Sequence, residues 1–597
     1  MNILGIQGSS VYQNNTKVKD NIYAGTQKPD SKKTIDERDF LNTRNYHLAF
    51  LGKKNYTKNE KEFLALRKAL ARELHQDSAE SAKRNWNMYT GQEEASSDIK
   101  QDTRKKHYKP LWTYETCDKL KKIQAKGIND PTLKIHLNKL IGWMSGHNSE
   151  PVSINQKELY ISKKINAYRG KVNGQEYSNA DLNTMLSSEK NVEKRKEIYT
   201  ALEGGGDVIA RDLVELVKQR NSFARQQGYP NYFSYKLKNS YGVNENELFT
   251  LLNDLEAKTD KIAKKMYKEN DEKLARAYNI KPEDLRPWHY GLLLEDSPIK
   301  EANKYIKDRE DLLPITKAMY KKMGWDLDKL PITYDIFPRQ GKNQHGFCFD
   351  IDTSKDIRIL ANLTNNLNSL ETLNHETGHA IYDAGISDRI PYLDRNVASS
   401  ALTEAVAMLM ENLPIREKKF FQDKLNMPDE LVERLSQQRK KGQVGFVRHY
   451  LKLLNFEREM YRNPDQDLAK LWFDTDKKYR GRNIPEKLNN EWASVPHFLS
   501  HPAYLQNYLR AEMMASQIHD SFKNKYGTDM LDTEKTHDFF EKKMFRRGSY
   551  LSENEMMKKL TGSKLMPDAF VNELESLTEK TPDEKVINLH QYKKLAS

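Results

Sequence analysis

Apolar residues recur at three- and four-residue spacing along most of the chain, which predicts a mainly helical protein. From Asp36 to about Lys126 the pattern gives long charged helices, with Phe63, Leu66, Leu70 and Leu74 at helical spacing. Arg211 to Gln227 is strongly helical and stops at Gly228-Tyr229-Pro230; before it, Gly204-Gly205-Gly206 interrupts a helical pattern and reads as a loop or a hinge. One region departs from the helical period. Between about Phe337 and Leu363, His345, Phe347, Phe349 and Ile351 alternate with Gly346, Cys348 and Asp350. After a turn at Asp352-Thr353-Ser354-Lys355, Ile357, Ile359 and Ala361 alternate again, which predicts a β-hairpin. A strand here could pair its backbone with an extended peptide, with Gly346 allowing close approach. The competing reading is a structural hairpin whose outer edge is covered by helices. Residues 1 to about 35 carry few apolar positions and are expected not to pack. Residues 36–575 are expected to form one domain, with a polar tail over 576–597. No repeat period and no low-complexity tract stands out, which argues against solenoid and coiled-coil architectures.

The run from Asn368 to Gly385 directly follows the hairpin and contains His375-Glu376-Thr377-Gly378-His379. Asn368 with Glu371 three residues on reads as a start cap, and Gly385 as a stop. At about 100° per residue the two histidines lie one turn apart on one face, where both imidazoles can bind a single metal ion. Leu370, Leu373, Thr377, Ala380, Ile381 and Ala384 fall on the opposite face, leaving the histidine face free to line a cleft. HExxH on a helix suits zinc, with Glu376 beside the metal and able to take a proton from water. Among fifteen histidines some pairs fall four apart by chance, so the surrounding residues must carry the argument.

A catalytic zinc needs three protein ligands and an open position. Downstream, Ala401 to Met410 reads as an apolar helix started by Ser399 or Ser400, with Glu404 embedded in it. Burying an unpaired carboxylate costs several kcal/mol, so Glu404 needs a cationic partner: zinc, or in the structural alternative an arginine such as Arg395. Glu411, near the end of that helix before Pro414, is a weaker candidate. Further on, His497, His501, Tyr504 and Tyr508 surround Pro502, which suits the first turn of a helix and would put the two tyrosines on one face. Their N–H and O–H groups are donors suited to an oxyanion. Taken alone, the segment reads rather as an aromatic core helix with a histidine cap.

Lys plus Arg number 98 and Asp plus Glu 85, a formal charge of +13, but the signs are interleaved and no basic stripe or nucleic-acid module appears. Nucleic acid is therefore not an expected partner. Cys117 and Cys348 are the two cysteines, in no metal-like spacing and giving no disulfide framework. The first twenty residues lack a sustained apolar stretch, and no run of about 18 apolar residues occurs, so neither a conventional secretion signal nor a membrane span is expected. A cytoplasmic location is expected, although an unconventional leader would leave little physical signature.

The stretch HGFCFDIDTSKDIRI followed by NHETGHAIYD resembles the angiotensin-converting-enzyme-like family of zinc peptidases and, more distantly, the thimet-oligopeptidase family that shares its fold. Weaker echoes run from KRNWNMYTG near residue 87 to RRGSYLSENEMMKKLTGSKL near 555. The resemblance implies one zinc ion held by His375, His379 and Glu404, with Glu376 as general base and then acid. It implies His345 and Gly346 as contacts to the substrate backbone, His497 and Tyr508 as oxyanion stabilisers, and Tyr504 near the substrate's C-terminal end. The sequence departs from converting enzymes at Val495, where a lysine would bind a terminal carboxylate, so strict dipeptide release does not follow. Asn507 replaces an arginine that binds chloride, and Met408 replaces an aspartate one turn after the glutamate ligand. The spacing from His497 to Tyr508 differs by one residue, which leaves His501 as an alternative donor.

The expected fold is a mainly helical, two-lobed ellipsoid around a deep cleft, with a small hairpin beside the HExxH helix. The expected activity is zinc-dependent hydrolysis of short unstructured peptides by a monomer. The alternative is a weak or inactive peptide-binding protein on a peptidase scaffold with structural zinc. Endopeptidase, peptidyl-dipeptidase and single-residue carboxypeptidase activity are all open on the sequence.

Overall fold

The computed structural model describes residues 55–92, 111–147, 151–292, 297–343 and 345–577. The expected leader over 1–35 and most of the 576–597 tail lie outside the described residues. The described chain is predominantly helical, with a small sheet beside the helix that carries the two histidines. The main core draws on elements from Ile154 to Leu574. A separate smaller core, with Phe63, Leu70, Leu120, Leu133 and Leu140, is formed by the helices Lys58–Tyr89, Tyr114–Lys126 and Pro131–His147.

The triple glycine is neither loop nor hinge. It lies within the helix Val192–Gln226, which runs unbroken for 35 residues. A Cβ on Gly206 would meet the Asn490 carbonyl at 2.1 Å, and one on Gly204 would meet the Tyr168 hydroxyl at 2.5 Å. Close approach of neighbouring chain, rather than a need for flexibility, accounts for these glycines.

Strands β1 (Gly170–Val172) and β2 (Gln175–Tyr177) form an isolated hairpin. The larger sheet contains β3 (Ile332–Asp335), β4 (Phe347–Asp350) and β5 (Ile357–Leu360) in the order β3-β5-β4. The predicted hairpin is the antiparallel β4–β5 pair, with Cys348 opposite Ile359. The parallel partner β3 extends it, with Ile332 opposite Ile357. Lys342 is buried, and its ammonium donates to the carbonyls of Asp335, Phe337 and Ala361 and to the Asp335 carboxylate, at 2.6–2.9 Å. These bonds hold the chain between β3 and β4, which leads into His345 and Gly346. Tyr89 and Trp86 pack on Phe347 and Phe349, so the helix Lys58–Tyr89 covers one side of β4. In the sheet order β4 is an edge strand.

Candidate metal centre

Helix Leu367–Gly385 carries His375, Glu376 and His379. Its cap is Asn366 rather than Asn368: the Asn366 side chain accepts the Ser369 N–H at 2.8 Å. The chain enters from β5 through Thr364 and Asn366, and this tertiary path selects which of two nearby asparagines caps. Leu370, Leu373, Thr377, Ala380 and Ile381 are buried as the periodicity requires. The Tyr320 hydroxyl donates to the Asn374 carbonyl and Thr316 to its side chain, each at 2.8 Å, which braces the turn just before His375.

Glu404 lies on helix Ser400–Arg416, capped by Ser399, whose hydroxyl accepts the Leu402 N–H at 3.1 Å. Arg395, the alternative partner for Glu404, is engaged elsewhere: its guanidinium donates to the carbonyls of Ile390 and Asp388. The two helices cross closely because Gly378 faces Ala407; a Cβ on Gly378 would lie 2.8 Å from the Ala407 Cα. Gly378→Ala is therefore expected to destabilise the fold by about 1–3 kcal/mol through overpacking and to weaken metal binding with it. Thermal melting beside a zinc titration checks this, and an unchanged melting temperature would show that the crossing has slack.

One ligand atom from each of His375, His379 and Glu404 lies within 4.8 Å of the other two. Glu404 Oε2 is 3.6 Å from His375 Nε2 and 3.9 Å from His379 Nε2. Ligands at normal zinc distances around a tetrahedral ion are about 3.4 Å apart, so Glu404 needs to close only slightly on each histidine. The other ring nitrogens are already engaged. His375 Nδ1 is 2.9 Å from Glu411 Oε2, and His379 Nδ1 is 2.8 Å from Thr403 Oγ1. With Nδ1–H donating to these oxygens, each Nε2 presents its lone pair to the common centre. Glu376, Glu404 and Glu411 also set three carboxylates around two imidazoles, a charge balance that favours a cation. On donor type, spacing and charge, the residues fit zinc.

Glu411 thus lies outside the three-residue cluster and is the hydrogen-bond partner of His375. The sequence offered one signal for it: it sits one helical turn beyond Met408 and two beyond Glu404, on nearly the same face. Glu411→Ala is expected to lower zinc affinity about 10-fold to 100-fold without removing a ligand, measurable by competitive zinc titration.

Burial raises the Glu376 carboxyl to about 7, with Glu404 and Glu411 adding to the effect and His375 opposing it. The backbone at Gly346 lies against this carboxylate: a Cβ there would be 2.9 Å from Glu376 Oε1. His345 is exposed at the entry to β4, its ring 6.3 Å from that of Phe347. Of the two residues, Gly346 is the one packed on the metal helix.

The helix expected to start at Pro502 begins four residues later, at Gln506. A short helix, Pro496–Ser500, is followed by turns through Pro502 and Ala503, and the next helix starts at Gln506. Tyr504 therefore precedes that helix, although its ring remains 5.4 Å from Tyr508. The Tyr504 hydroxyl donates to Glu404 Oε1 at 3.3 Å, a contact to a candidate ligand that the sequence did not suggest. The His497 ring lies 6.1 Å from Tyr504 and 5.9 Å from Tyr508, and burial depresses its pKa to about 4, so it is a neutral N–H donor. His501 is exposed, with Nδ1 2.7 Å from the Ser500 hydroxyl. Val495 packs on the main core, and Asn507 is buried, accepting from Gln506.

Residues 331–576 match the family model described as Peptidase family M3. An oligopeptidase PepF of Bacillus subtilis (strain 168) is 25% identical over 247 residues, covering 38% of this chain and 35% of that protein. The match thus spans about a third of that relative's length. These matches overturn the converting-enzyme-like resemblance in favour of the thimet-oligopeptidase side. Val495, Asn507, Met408 and the altered His497–Tyr508 spacing are where the chain had already parted from converting enzymes. The matched segment and the His–His–Glu cluster together point to a zinc-dependent peptidase.

Proposed function

We propose that this chain hydrolyses short, unstructured peptides with one zinc ion held by His375, His379 and Glu404 and with Glu376 as the proton carrier. The observation that carries the reading is the meeting of three ligand atoms within 4.8 Å, each histidine already oriented through its Nδ1. Three ligands leave a position open, which supports a catalytic ion over a structural one and so weighs against the peptide-binding alternative. Bound there, zinc would supply Lewis acidity, lowering the pKa of water and polarising the scissile carbonyl.

The protein's own groups do the rest. Glu376 accepts the proton of the attacking water and passes it to the leaving amine. Tyr508 donates its O–H and His497 its N–H to the tetrahedral oxyanion, His497 being favoured over His501 because its ring packs against both tyrosines and is the less exposed. Tyr504 steadies Glu404, with its place near the substrate's C-terminal end a second role. Edge strand β4, with Gly346 and His345 at its start, holds the extended peptide by its backbone. His375, His379 and Glu404 are only 16–22% exposed, which favours a thin extended chain over a folded protein as substrate.

Incubating the full chain with a mixed peptide pool, with and without a chelator, and mapping the products by mass tests the reading. The expected result is cleavage that the chelator abolishes and added zinc restores. Chelator-resistant cleavage, or none by zinc-loaded protein, would overturn it. The same product map distinguishes internal cuts from release of one or two C-terminal residues.

A further inference from the structure

The turn between Pro496–Ser500 and the helix Gln506–Tyr526 is held by side chains from three other helices. Arg220, on the helix Val192–Gln226, is 1% exposed. Its Nη1 donates to the Phe498 carbonyl at 3.0 Å and to the Tyr461 hydroxyl at 3.1 Å. Its Nη2 donates to the Leu499 carbonyl and, at 3.1 Å, to Glu158. Glu457, on the helix Asp429–Arg462, is fully buried and accepts the Ala503 N–H at 2.8 Å. From the helix Tyr232–Tyr241, the Tyr241 hydroxyl donates to the Pro502 carbonyl at 3.3 Å. Four backbone groups within six residues are thereby fixed. One of these residues, Ala503, has φ +60°, a left-handed conformation unfavourable for a residue with a Cβ.

The side chains this turn presents are those assigned above to the oxyanion and to Glu404. We propose, on the basis of the peptidase reading, that Glu457 and Arg220 are positioning residues: they hold the 498–503 backbone so that His497, Tyr504 and Tyr508 stand correctly against Glu404. Their hydrogen bonds go to this turn, Tyr461 and Glu158 rather than to His375, His379 or Glu404. A packing role alone would be met by apolar side chains, whereas here Arg220 Nε and Glu457 Oε2 are buried without a hydrogen-bond partner. Leaving such atoms unbonded is costly, and it is the carbonyls of Phe498 and Leu499 and the amide of Ala503 that these side chains secure. Burial raises the Glu457 carboxyl to about 8, with the Ala503 N–H and Arg220 opposing. Near neutral pH it therefore acts largely as a neutral acceptor, for which glutamine is a close match.

The test compares Glu457→Leu, Glu457→Gln and the double variant Glu457→Leu/Ala503→Gly with the wild type in the full, zinc-loaded chain. Steady-state kinetics, zinc content and amide hydrogen exchange over residues 498–505 are measured together. Glu457→Leu is expected to lower kcat about 10-fold to 100-fold at unchanged KM and zinc content, because misplacement of reacting-centre donors by about an ångström has effects of that size. Exchange should rise in that segment alone. Glu457→Gln should keep near wild-type kcat, and Ala503→Gly, which removes the penalty of the left-handed conformation, should restore part of the loss in the double variant. If Glu457→Leu does not fold, Arg220→Lys carries the test: it keeps the charge but cannot hold both carbonyls, so the same fall in kcat is expected. Wild-type kcat in folded Glu457→Leu or Arg220→Lys, or a Glu457→Gln as impaired as the leucine variant, would overturn the proposal. An inactive wild type would instead refute the peptidase reading, and the exchange data would then decide the positioning of the turn separately.

Discussion

Glu376→Gln is expected to lower peptide turnover by a factor on the order of 10² to 10⁴ while zinc content stays at the wild-type level. The substitution keeps the size of the side chain and a hydrogen-bonding amide, but an amide cannot accept the proton of the attacking water or deliver it to the leaving amine. Glu376 lies on the same helix as both histidines, yet its carboxylate is not among the three clustered ligand atoms, so removing its charge leaves that set intact. Its surroundings suit the role. It is buried, its carboxyl is raised toward neutrality, and the Gly346 backbone closes on it. Zinc analysis and kinetics on the same preparation check the outcome. Near wild-type hydrolysis at full zinc occupancy would remove Glu376 from the mechanism.

His379→Ala and Glu404→Ala are expected to lose zinc and activity together. Each deletes one of three ligands, and the remaining pair cannot hold the ion with the geometry catalysis requires. The Glu404 change also strips the Tyr504 hydroxyl of its acceptor, and the His379 change removes the N–H that donates to Thr403 Oγ1. Because a site with two ligands still binds metal weakly, high zinc concentrations should return metal to these variants before they return rate. Their behaviour contrasts with that of Glu376→Gln, so the two classes of substitution separate metal binding from proton transfer. A His379→Ala protein retaining stoichiometric tight zinc and full turnover would show that the ligand set is different.

Both expectations rest on a site that was largely legible in the chain itself. His375, Glu376 and His379 share a helix, and their relation follows from the helical period alone. Ser399 as the cap of the Glu404 helix, and the alternation that makes β4 and β5, are likewise local patterns. Short-range geometry is encoded wherever backbone hydrogen bonding and burial repeat at a fixed spacing, and the sequence by itself therefore determined the helical class, the HExxH face and the hairpin before it. Where two local solutions were nearly equal, the sequence could not choose: Asn366 and Asn368 both suit a cap, and three consecutive glycines suit a loop as well as a tightly packed helix.

Only the tertiary structure decided what fills the space around those elements. Glu411 reaches His375 across 36 residues, Tyr504 reaches Glu404 across 100, and Arg220 reaches Phe498 across 278. No periodicity runs over such separations. These contacts depend on helix crossings such as Gly378 on Ala407, on the parallel docking of β3, and on the break at Pro502 and Ala503 that moves Tyr504 off its expected helix. A side chain's partner across a crossing is set by which surfaces bury each other, and that choice is made by the whole core at once rather than by any stretch of it.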